Sequence, residues 1–318
     1  MVNELNILDR MRASLRVHQF NVNTEKAYMY WARAFIEYHN KQDPSELGRA
    51  DVESFISYLA SERYAAVQTQ NQALHAVLFL YKDVLGSCPD WLNELVADQK
   101  ATHKSNILSK DEVQSLLSNL YGQEWLAVSL IYGAGLRANE CVNLRVRDID
   151  LQKQNILVRQ TNGAAGWMTI MPRKLLPSLR THIEDRKLLH IKDIADGIGE
   201  VFLPTNVLEL YPNAARSWSW QYAFPSTERD YDPVNGNLKR TSHISEDQIN
   251  KAIERAAIEA QIYTRVTATT LRNSFAVHMI SNGVESKQVE ALLGHGAEEE
   301  LDGLQVGIES PLDELRIH

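Results

Sequence analysis

The chain has 318 residues, 44% of them hydrophobic, and a formal net charge of −8 at pH 7. This length supports one or two hydrophobic cores, and the sequence has no run of about 18 apolar residues, which argues against a membrane-spanning helix. The two cysteines, Cys88 and Cys141, form neither a disulfide framework nor a metal-ligand spacing, and no secretory signal is visible, so we expect a cytoplasmic protein.

The negative charge is concentrated near the C-terminus. Residues 296–318 contain seven acidic side chains and one arginine, a net charge of −6, whereas the rest of the chain is close to neutral. Proteins that bind duplex DNA neutralise phosphates with Lys and Arg, so an acidic total argues against nucleic acid. Residues 1–295 are nevertheless close enough to neutral that one face of the protein could be basic and bind nucleic acid.

Residues 1–98 have the pattern of a helical domain. Apolar periodicity over 4–19, 24–39, 51–62 and 68–86 predicts four helices. In the second helix, Tyr28, Trp31, Phe35 and Tyr38 form one stripe, which we interpret as core rather than as a stacking platform. Several polar residues lie near the start of the fourth helix or on its later turns. They either face solvent without a binding role or contact a ligand. They are Gln68, Thr69, Gln70, Asn71 and Lys82.

The polar stretch 99–106 predicts a linker to a second domain, 107–318. Ser109 and Glu112 have the spacing of a capping box and predict a helix start. Short β-prone runs at 155–160 and 167–171, joined by a Gly-containing turn, predict a hairpin. The periodicity of 173–192 predicts a helix whose Leu176, Leu179, Ile183 and Leu188 face inward.

Residues 197–243 are irregular and rich in Pro, Asn and Trp. Trp218, Trp220, Tyr222 and Phe224 alternate along the chain, which is consistent with a half-buried strand or with an aromatic surface that stacks on bases. A long helix is predicted over 245–260.

Two further segments place arginine at helix starts. Tyr132 to Glu140, reading YGAGLRANE, predicts an apolar helix, a glycine turn and a new helix opening on Arg137. Thr267 or Thr269 is a suitable N-cap for a helix carrying Arg272, with Leu271, Phe275 and Met279 on its apolar stripe. Ser286 is expected to cap a short helix that ends at Gly294, just before His295. An arginine in the first turn of a helix and a histidine after a glycine stop, Arg272 and His295, are candidates to converge on one anion.

The segments YGAGLRANE, TLRNSFAVH and LLGH resemble the conserved boxes of the tyrosine recombinases. The stretch 211–226, with Asp232-Pro233, His243 to Glu246 and Ser310 to Asp313, resembles integron integrases in particular. This resemblance covers nearly the whole chain. It implies a mainly α two-domain clamp with a small β-hairpin or sheet, in which an N-terminal helical core-binding domain joins a mixed α/β catalytic domain carrying an insertion at about 197–243.

The resemblance also implies a function and its residues. Integron integrases cut and exchange DNA strands at duplex and folded single-stranded sites, as a tetramer on DNA, without a cofactor or an essential metal. Arg137, Arg272 and His295 would hold the scissile phosphate. Other residues would contact DNA: Gln68, Thr69, Asn71 and Lys82 in the first domain, and Trp220, Pro233 and His243, which would capture extrahelical bases.

The chain departs from the family at three positions. Asn162 stands where the family has the lysine that protonates the leaving oxygen, and Thr269 stands in place of the first histidine of the His-x-x-Arg pair. Leu304 occupies the expected position of the nucleophilic tyrosine, and no tyrosine follows Tyr263. Because removal of a covalent nucleophile removes the pathway, the sequence predicts phosphate binding without strand cleavage.

Two alternatives to an impaired recombinase remain. The chain is either a module that only binds DNA, occupying recombination sites beside an active homologue, or an inactive product of the family that serves at most as an interaction protein. A metal-dependent phosphodiesterase has little support, because no His and carboxylate cluster shows metal-ligand spacing.

Overall fold

The computed structural model describes residues 4–317, apart from 19, 21, 66, 88, 102–105, 160–165, 204, 229, 232–237, 240–241 and 295–307. The chain divides into two compact units, Met1–Lys104 and Ser105–His318. None of the described helices has the length and apolar character needed to span a bilayer.

The first unit is built from helices. They are α1 (Glu4–Val17), α2 (Val22–Tyr38), α3 (Arg49–Ser61), α4 (Val67–Phe79, continued by a π-helical turn Leu80–Val84) and α5 (Asp90–Ala101). Phe35 of α2 is fully buried, and the other members of its aromatic stripe pack against the same core. The interpretation of that stripe as core is therefore correct. Helix α5 was not foreseen, and it continues into the first residues of the predicted linker.

The second unit is organised around one helix that is apolar on every side. Its helices are α6 (Lys110–Ser118), α7 (Gly122–Ala134), α8 (Ala138–Val142), α9 (Leu176–Ala195), α10 (Thr205–Leu210), α11 (Glu246–Glu259), α12 (Ala268–Ser281) and α13 (Ser286–Leu292). Every residue of α7 from Leu126 to Ala134 is buried. Such a helix needs neighbours all round, and α11, α12 and the C-terminal turn Pro311–Glu314 supply them.

The predicted hairpin is present within a three-stranded antiparallel sheet. The strands are β1 (Ile149–Asp150), β2 (Asn155–Val158) and β3 (Trp167–Ile170). Their register pairs Val158 with Trp167 at the turn end of the hairpin. The turn itself, with Asn162, lies outside the described residues.

Local capping chemistry sets several of the helix starts in this unit. The side chains of Ser109, Ser245 and Thr267 each accept a hydrogen bond from the backbone N–H three residues on. The predicted start for α13 is wrong by one residue, since Glu285 is the N-cap and Ser286 is the first helical residue.

The first half of α9 is oriented as predicted, with Leu179 buried and Leu176 and Ile183 packed against the core. Its second half buries polar residues, which contradicts the prediction for Leu188. Leu188 is 67% exposed, whereas His190 and Asp193 are buried. These polar residues are buried because α9 packs against residues 197–224, whose carbonyl groups accept hydrogen bonds from His182 and His190.

The insertion has its own small core and is more ordered than its sequence indicated. Val201, Leu203, Ala214 and Tyr222 form this core, and a two-stranded hairpin, β4 (Asp230–Tyr231) with β5 (Leu238–Lys239), follows. Residues 218–220 form a 3-10 turn, so the possibility of a strand through the four aromatics is excluded.

Candidate functional site

The junction between α7 and α8 places Arg137 at a helix start. Gly135 ends α7 in the left-handed region at φ 68°, and Arg137 is the extended N-cap residue of α8. The Glu140 carboxylate accepts hydrogen bonds from the Arg137 backbone N–H at 2.7 Å and from its guanidinium. Glu140 therefore fixes both the backbone and the side chain of Arg137, while the Arg137 side chain remains 47% exposed.

Arg272 joins three separate elements from a buried position on α12. Its Nη1 donates to the carbonyl of Gly135 at 2.6 Å, and its Nη2 donates to the carbonyl of Leu293 at 2.8 Å. Nη1 also lies 3.3 Å from Glu140 Oε2. The guanidinium is thus held by the end of α7, the start of α8 and the end of α13.

The charges at this point favour an anion. Burial lowers the pKa of Arg272 to about 10, with Glu140 opposing the change and Arg137 adding to it. A pKa of about 10 still leaves Arg272 protonated at neutral pH. Two arginines share one carboxylate, so the cluster of Arg137, Glu140 and Arg272 keeps a net positive charge. Within the described residues, hydrogen bonds occupy three of the five N–H donors of Arg272, which leaves two for a ligand.

The short helix α13 is seated on the sheet beside this cluster. Trp167 Nε1 donates to the Leu292 carbonyl at 3.1 Å, and Gly294 follows at φ 75° with the Trp167 ring against its Cα. A Cβ at Gly294 would lie 2.4 Å from that ring, so this position requires glycine.

The structure brings together only some of the predicted site residues. Arg137 and Arg272 share Glu140, and Thr269 lies on the exposed side of α12 one turn before Arg272. His295, Leu304, Asn162 and Pro233 fall outside the described residues, so their roles stay predictions.

Glu140 was missed as a site residue by the sequence analysis. The signal was present, because an acidic residue three positions after a helix N-cap is typical of a capping box. What the spacing did not indicate is that the same carboxylate also reaches Arg272, which is 132 residues away in the chain.

The C-terminal segment packs directly beside the arginine cluster. Ser310 is buried and its hydroxyl donates to the Gly133 carbonyl, two residues before the Gly135 carbonyl that binds Arg272. Leu312 is fully buried against α7, and the Asp313 carboxylate accepts from the backbone N–H of Lys174 at 2.9 Å. The segment therefore stabilises the end of α7 from the other side.

Replacement of Gly135 by alanine is expected to destabilise this junction. A Cβ there would lie 2.6 Å from the Phe275 ring, and φ 68° is unfavourable for alanine. We expect the free energy of unfolding to fall by about 1–3 kcal/mol. Urea unfolding followed by circular dichroism measures this. Gly197→Ala is the control, since Gly197 also has positive φ but no atom lies near the added Cβ. An equal fall in the free energy of unfolding of both variants would show that the clash with Phe275 contributes nothing.

A second group of predicted residues lies in the insertion. The Arg147 guanidinium is centred 4.2 Å from the Trp220 ring, and that of Arg145 is 3.5 Å from the Tyr222 ring. His243 meets the Tyr222 ring edge to face at 4.9 Å. The structure therefore gives Trp220 and His243 different partners, Arg147 and Tyr222 respectively, and both side chains are half-buried.

The predicted contact residues of the first unit do not form one cluster. Gln68 is exposed near the start of α4, whereas Thr69 and Asn71 are half-buried. Lys82 is exposed about 20 Å further along the same helix axis. Among the described residues, no group of three or more His, Cys, Asp or Glu side chains is arranged to hold a metal ion.

Comparison with known proteins finds a family match for each of the two units. Residues 7–91 match the phage integrase N-terminal SAM-like domain, and residues 106–301 match the phage integrase family. An integrase/recombinase of Escherichia coli is 36% identical over 289 residues, covering 91% of this chain and 86% of the relative. Tyrosine recombinase XerD of Listeria monocytogenes is 25% identical over 86% of this chain and 84% of the relative.

Solved structures show the same fold. The Tn1549 transposon integrase in complex with transposon right end DNA has a TM-score of 0.62 and 16% identity, covering 91% of each chain. The XerH site-specific recombinase bound to difH substrate has a TM-score of 0.53 and 15% identity, covering 91% of this chain and 78% of that one. The chain belongs to the phage integrase family of tyrosine recombinases.

Proposed function

We propose that this protein is an integron-integrase-like member of its family that recognises folded and duplex recombination sites and holds a DNA phosphate without cutting the strand. The observation that carries the proposal is the Arg272 guanidinium, fixed by two backbone carbonyls and by Glu140 beside Arg137. A guanidinium held in this way is pre-organised for a phosphate oxygen, since its orientation is set before the ligand arrives.

The two arginines have different parts in this proposal. Arg272 is buried and fixed, so it supplies a defined direction for the phosphate. Arg137 is half exposed on a side chain anchored by Glu140, so it approaches the same phosphate from the solvent side. His295 is proposed as a further donor, because in the sequence it lies two residues after Leu293, whose carbonyl binds Arg272.

The proposed loss of cleavage comes from residue types. Leu304 has no nucleophilic atom, Thr269 has no proton shuttle active near neutral pH, and Asn162 has no proton to give to a leaving oxygen. General acid–base groups each contribute about 10²–10⁴ in rate, whereas the absent tyrosine would have formed the covalent bond itself.

Recognition of extrahelical bases is proposed for the insertion. Trp220 offers a half-buried ring backed by the cation of Arg147, and His243 packs edge to face against the Tyr222 ring. Aromatic rings with adjacent guanidinium groups bind unpaired bases through stacking. Pro233 is kept in this set on the resemblance to integron integrases alone.

The remaining proposals concern organisation and partners. We propose a core-binding domain at 1–98 that contacts DNA through Gln68, Thr69, Asn71 and Lys82, a linker at 99–106, a recombinase-like domain at 107–318, and cytoplasmic assembly into a homo-oligomer on DNA. The Tn1549 and XerH structures, whose chains are bound to DNA, support DNA as the partner.

A gel-shift experiment tests this function. The probe is a folded single-stranded hairpin with extrahelical bases, compared with the same hairpin lacking them. We expect the extrahelical bases to improve binding about tenfold, and Trp220→Ala to remove that difference, because stacking contributes about 1–3 kcal/mol per base. Tyr263→Ala is the control, as this ring is 94% exposed.

The same samples are then analysed under denaturing conditions. We expect no covalent protein–DNA adduct. An adduct would refute the loss of cleavage, and equal weak binding to all hairpins would refute site recognition while leaving family membership untouched.

A further inference from the structure

The outer face of α9 carries apolar side chains that no described part of the chain covers. Leu188 is 67% exposed and Ile191 is 58% exposed, although the inner side of the same helix buries His190 and Asp193. In this second half of α9 the inner side is polar because it hydrogen-bonds the insertion, with His190 Nε2 donating to the Arg216 carbonyl at 3.1 Å. Packing within the unit therefore does not explain the apolar residues on the outside.

These outer residues have the spacing of a helix-pairing seam. Five exposed positions follow one another at intervals of three, four, three and four residues: Thr181, Glu184, Leu188, Ile191 and Ala195. This alternation keeps one narrow stripe facing a partner helix. We call this stripe, Thr181 to Ala195, the α9 seam.

The charges along the α9 seam favour one partner and one orientation. Asp185 and Lys192 are both exposed and lie on the same flank of the seam, seven residues apart. In an antiparallel pair of α9 helices about a two-fold axis between Leu188 and Ile191, Asp185 faces Lys192 of the second copy, and this contact occurs twice.

A parallel pair is disfavoured by the same residues. It would place Glu184 directly against Glu184 of the second copy within the seam, and like charges at such close range are destabilising. The antiparallel pair instead places Glu184 opposite Ala195. Leu188 then packs against Ile191 of the second copy at the centre.

We propose that the α9 seam is a self-association surface, through which two copies of this chain pair antiparallel in the absence of DNA. A helix of 20 residues is about 30 Å long, so a single helix pair buries less area than a standard interface. The dimer is accordingly weak and reversible, with a dissociation constant in the micromolar range. It uses none of the residues of the arginine cluster.

Sedimentation equilibrium of the full chain without DNA tests the surface. We expect a monomer–dimer equilibrium, with Leu188→Glu raising the dissociation constant at least tenfold. Ile258→Glu is the matched control, because Ile258 is 70% exposed on α11 of the same unit, and it should leave the equilibrium unchanged. Circular dichroism confirms that each variant is folded. A chain that stays monomeric at all concentrations, or a dimer insensitive to Leu188→Glu, would overturn the proposal.

Charge reversal tests the orientation. Asp185→Lys and Lys192→Asp each create two like-charged contacts in the antiparallel pair, so each should weaken the dimer severalfold. The double variant restores both contacts with the charges exchanged, and we expect association close to that of the original chain. Failure of the double variant to recover would overturn the antiparallel arrangement.

Discussion

Replacement of Arg272 by methionine is expected to lower the free energy of unfolding of the second unit by about 3 kcal/mol. Methionine has similar length but donates no hydrogen bond, so the carbonyl groups of Gly135 and Leu293 lose their partner inside the protein. Each buried acceptor left in this state costs about 1–3 kcal/mol. For a unit of this size that corresponds to a fall in Tm of roughly 6–12 °C, measurable by scanning calorimetry.

The same variant should lose affinity for DNA by more than tenfold, because the fixed donors for the phosphate are removed. Arg272→Lys distinguishes the effect of the positive charge from that of the hydrogen-bond geometry. Lysine keeps the charge but cannot hydrogen-bond to α7, α8 and α13 at the same time. We expect it to lie between the original chain and Arg272→Met in both measurements. Arg216→Met is the surface control, as Arg216 pairs with Glu200 at the exterior. A stable Arg272→Met variant with unchanged DNA affinity would show that the arginine cluster is not a phosphate site.

The parts of this fold that follow from local chemistry could be predicted from sequence. Ser109 caps a helix as its spacing indicated, and of the two threonines proposed for α12 Thr267 is the N-cap, because an N-cap needs only the residues of its own first turn. The β2–β3 hairpin is likewise predicted from two short β-prone runs and the glycine-containing turn between them.

The orientation of α9 could not be predicted in this way. Its sequence holds apolar residues on more than one side, and the choice of which side is buried depends on carbonyl groups 26–41 residues further along the chain. The burial of His190 in place of Leu188 is compensated by the carbonyl acceptor that the insertion supplies. Periodicity alone contains no information about that partner.

The candidate site likewise contains residues that the sequence identifies and one that it does not. Arg137 and Arg272 were identified from their motifs, and the two are brought together in the structure. Glu140 was not assigned a role, because its contact with Arg272 exists only after α8 and α12 have packed. The aromatics of 218–224 follow the same rule: their alternation permits a strand, whereas the 3-10 turn at Trp218–Trp220 is set by packing of the insertion.

Acidification from pH 7 to pH 5.5 is expected to destabilise the second unit through its buried histidines. Burial lowers the pKa of His182, His190 and His278 below the ordinary value. The unfolded chain takes up a proton near pH 6.5, whereas the folded unit resists protonation to a lower pH. The unfolded state therefore binds more protons in this window, so the stability present above the unfolded pKa is lost as the pH falls through the folded values.

The structure gives a reason for each shift. His278 contacts the Tyr132 hydroxyl at 2.8 Å, with Lys110 nearby disfavouring a second positive charge. His190 Nδ1 is buried with no hydrogen-bond partner among the described residues, so a proton there would be costly. Burial against the Phe224 ring, 5.3 Å away, lowers the pKa of His182 and Arg186 adds to the change, whereas the hydrogen bond to the Ala223 carbonyl opposes it.

Each histidine can contribute a slope of at most about 1.4 kcal/mol per pH unit. Urea unfolding at several pH values measures the total, and His190→Asn should reduce the slope by no more than that amount. Because His190 lies beside Trp218, tryptophan fluorescence should report acid release of the insertion from α9 before global unfolding. A free energy of unfolding that does not change between pH 7 and pH 5.5 would show that these three histidines titrate alike in the folded and unfolded chain.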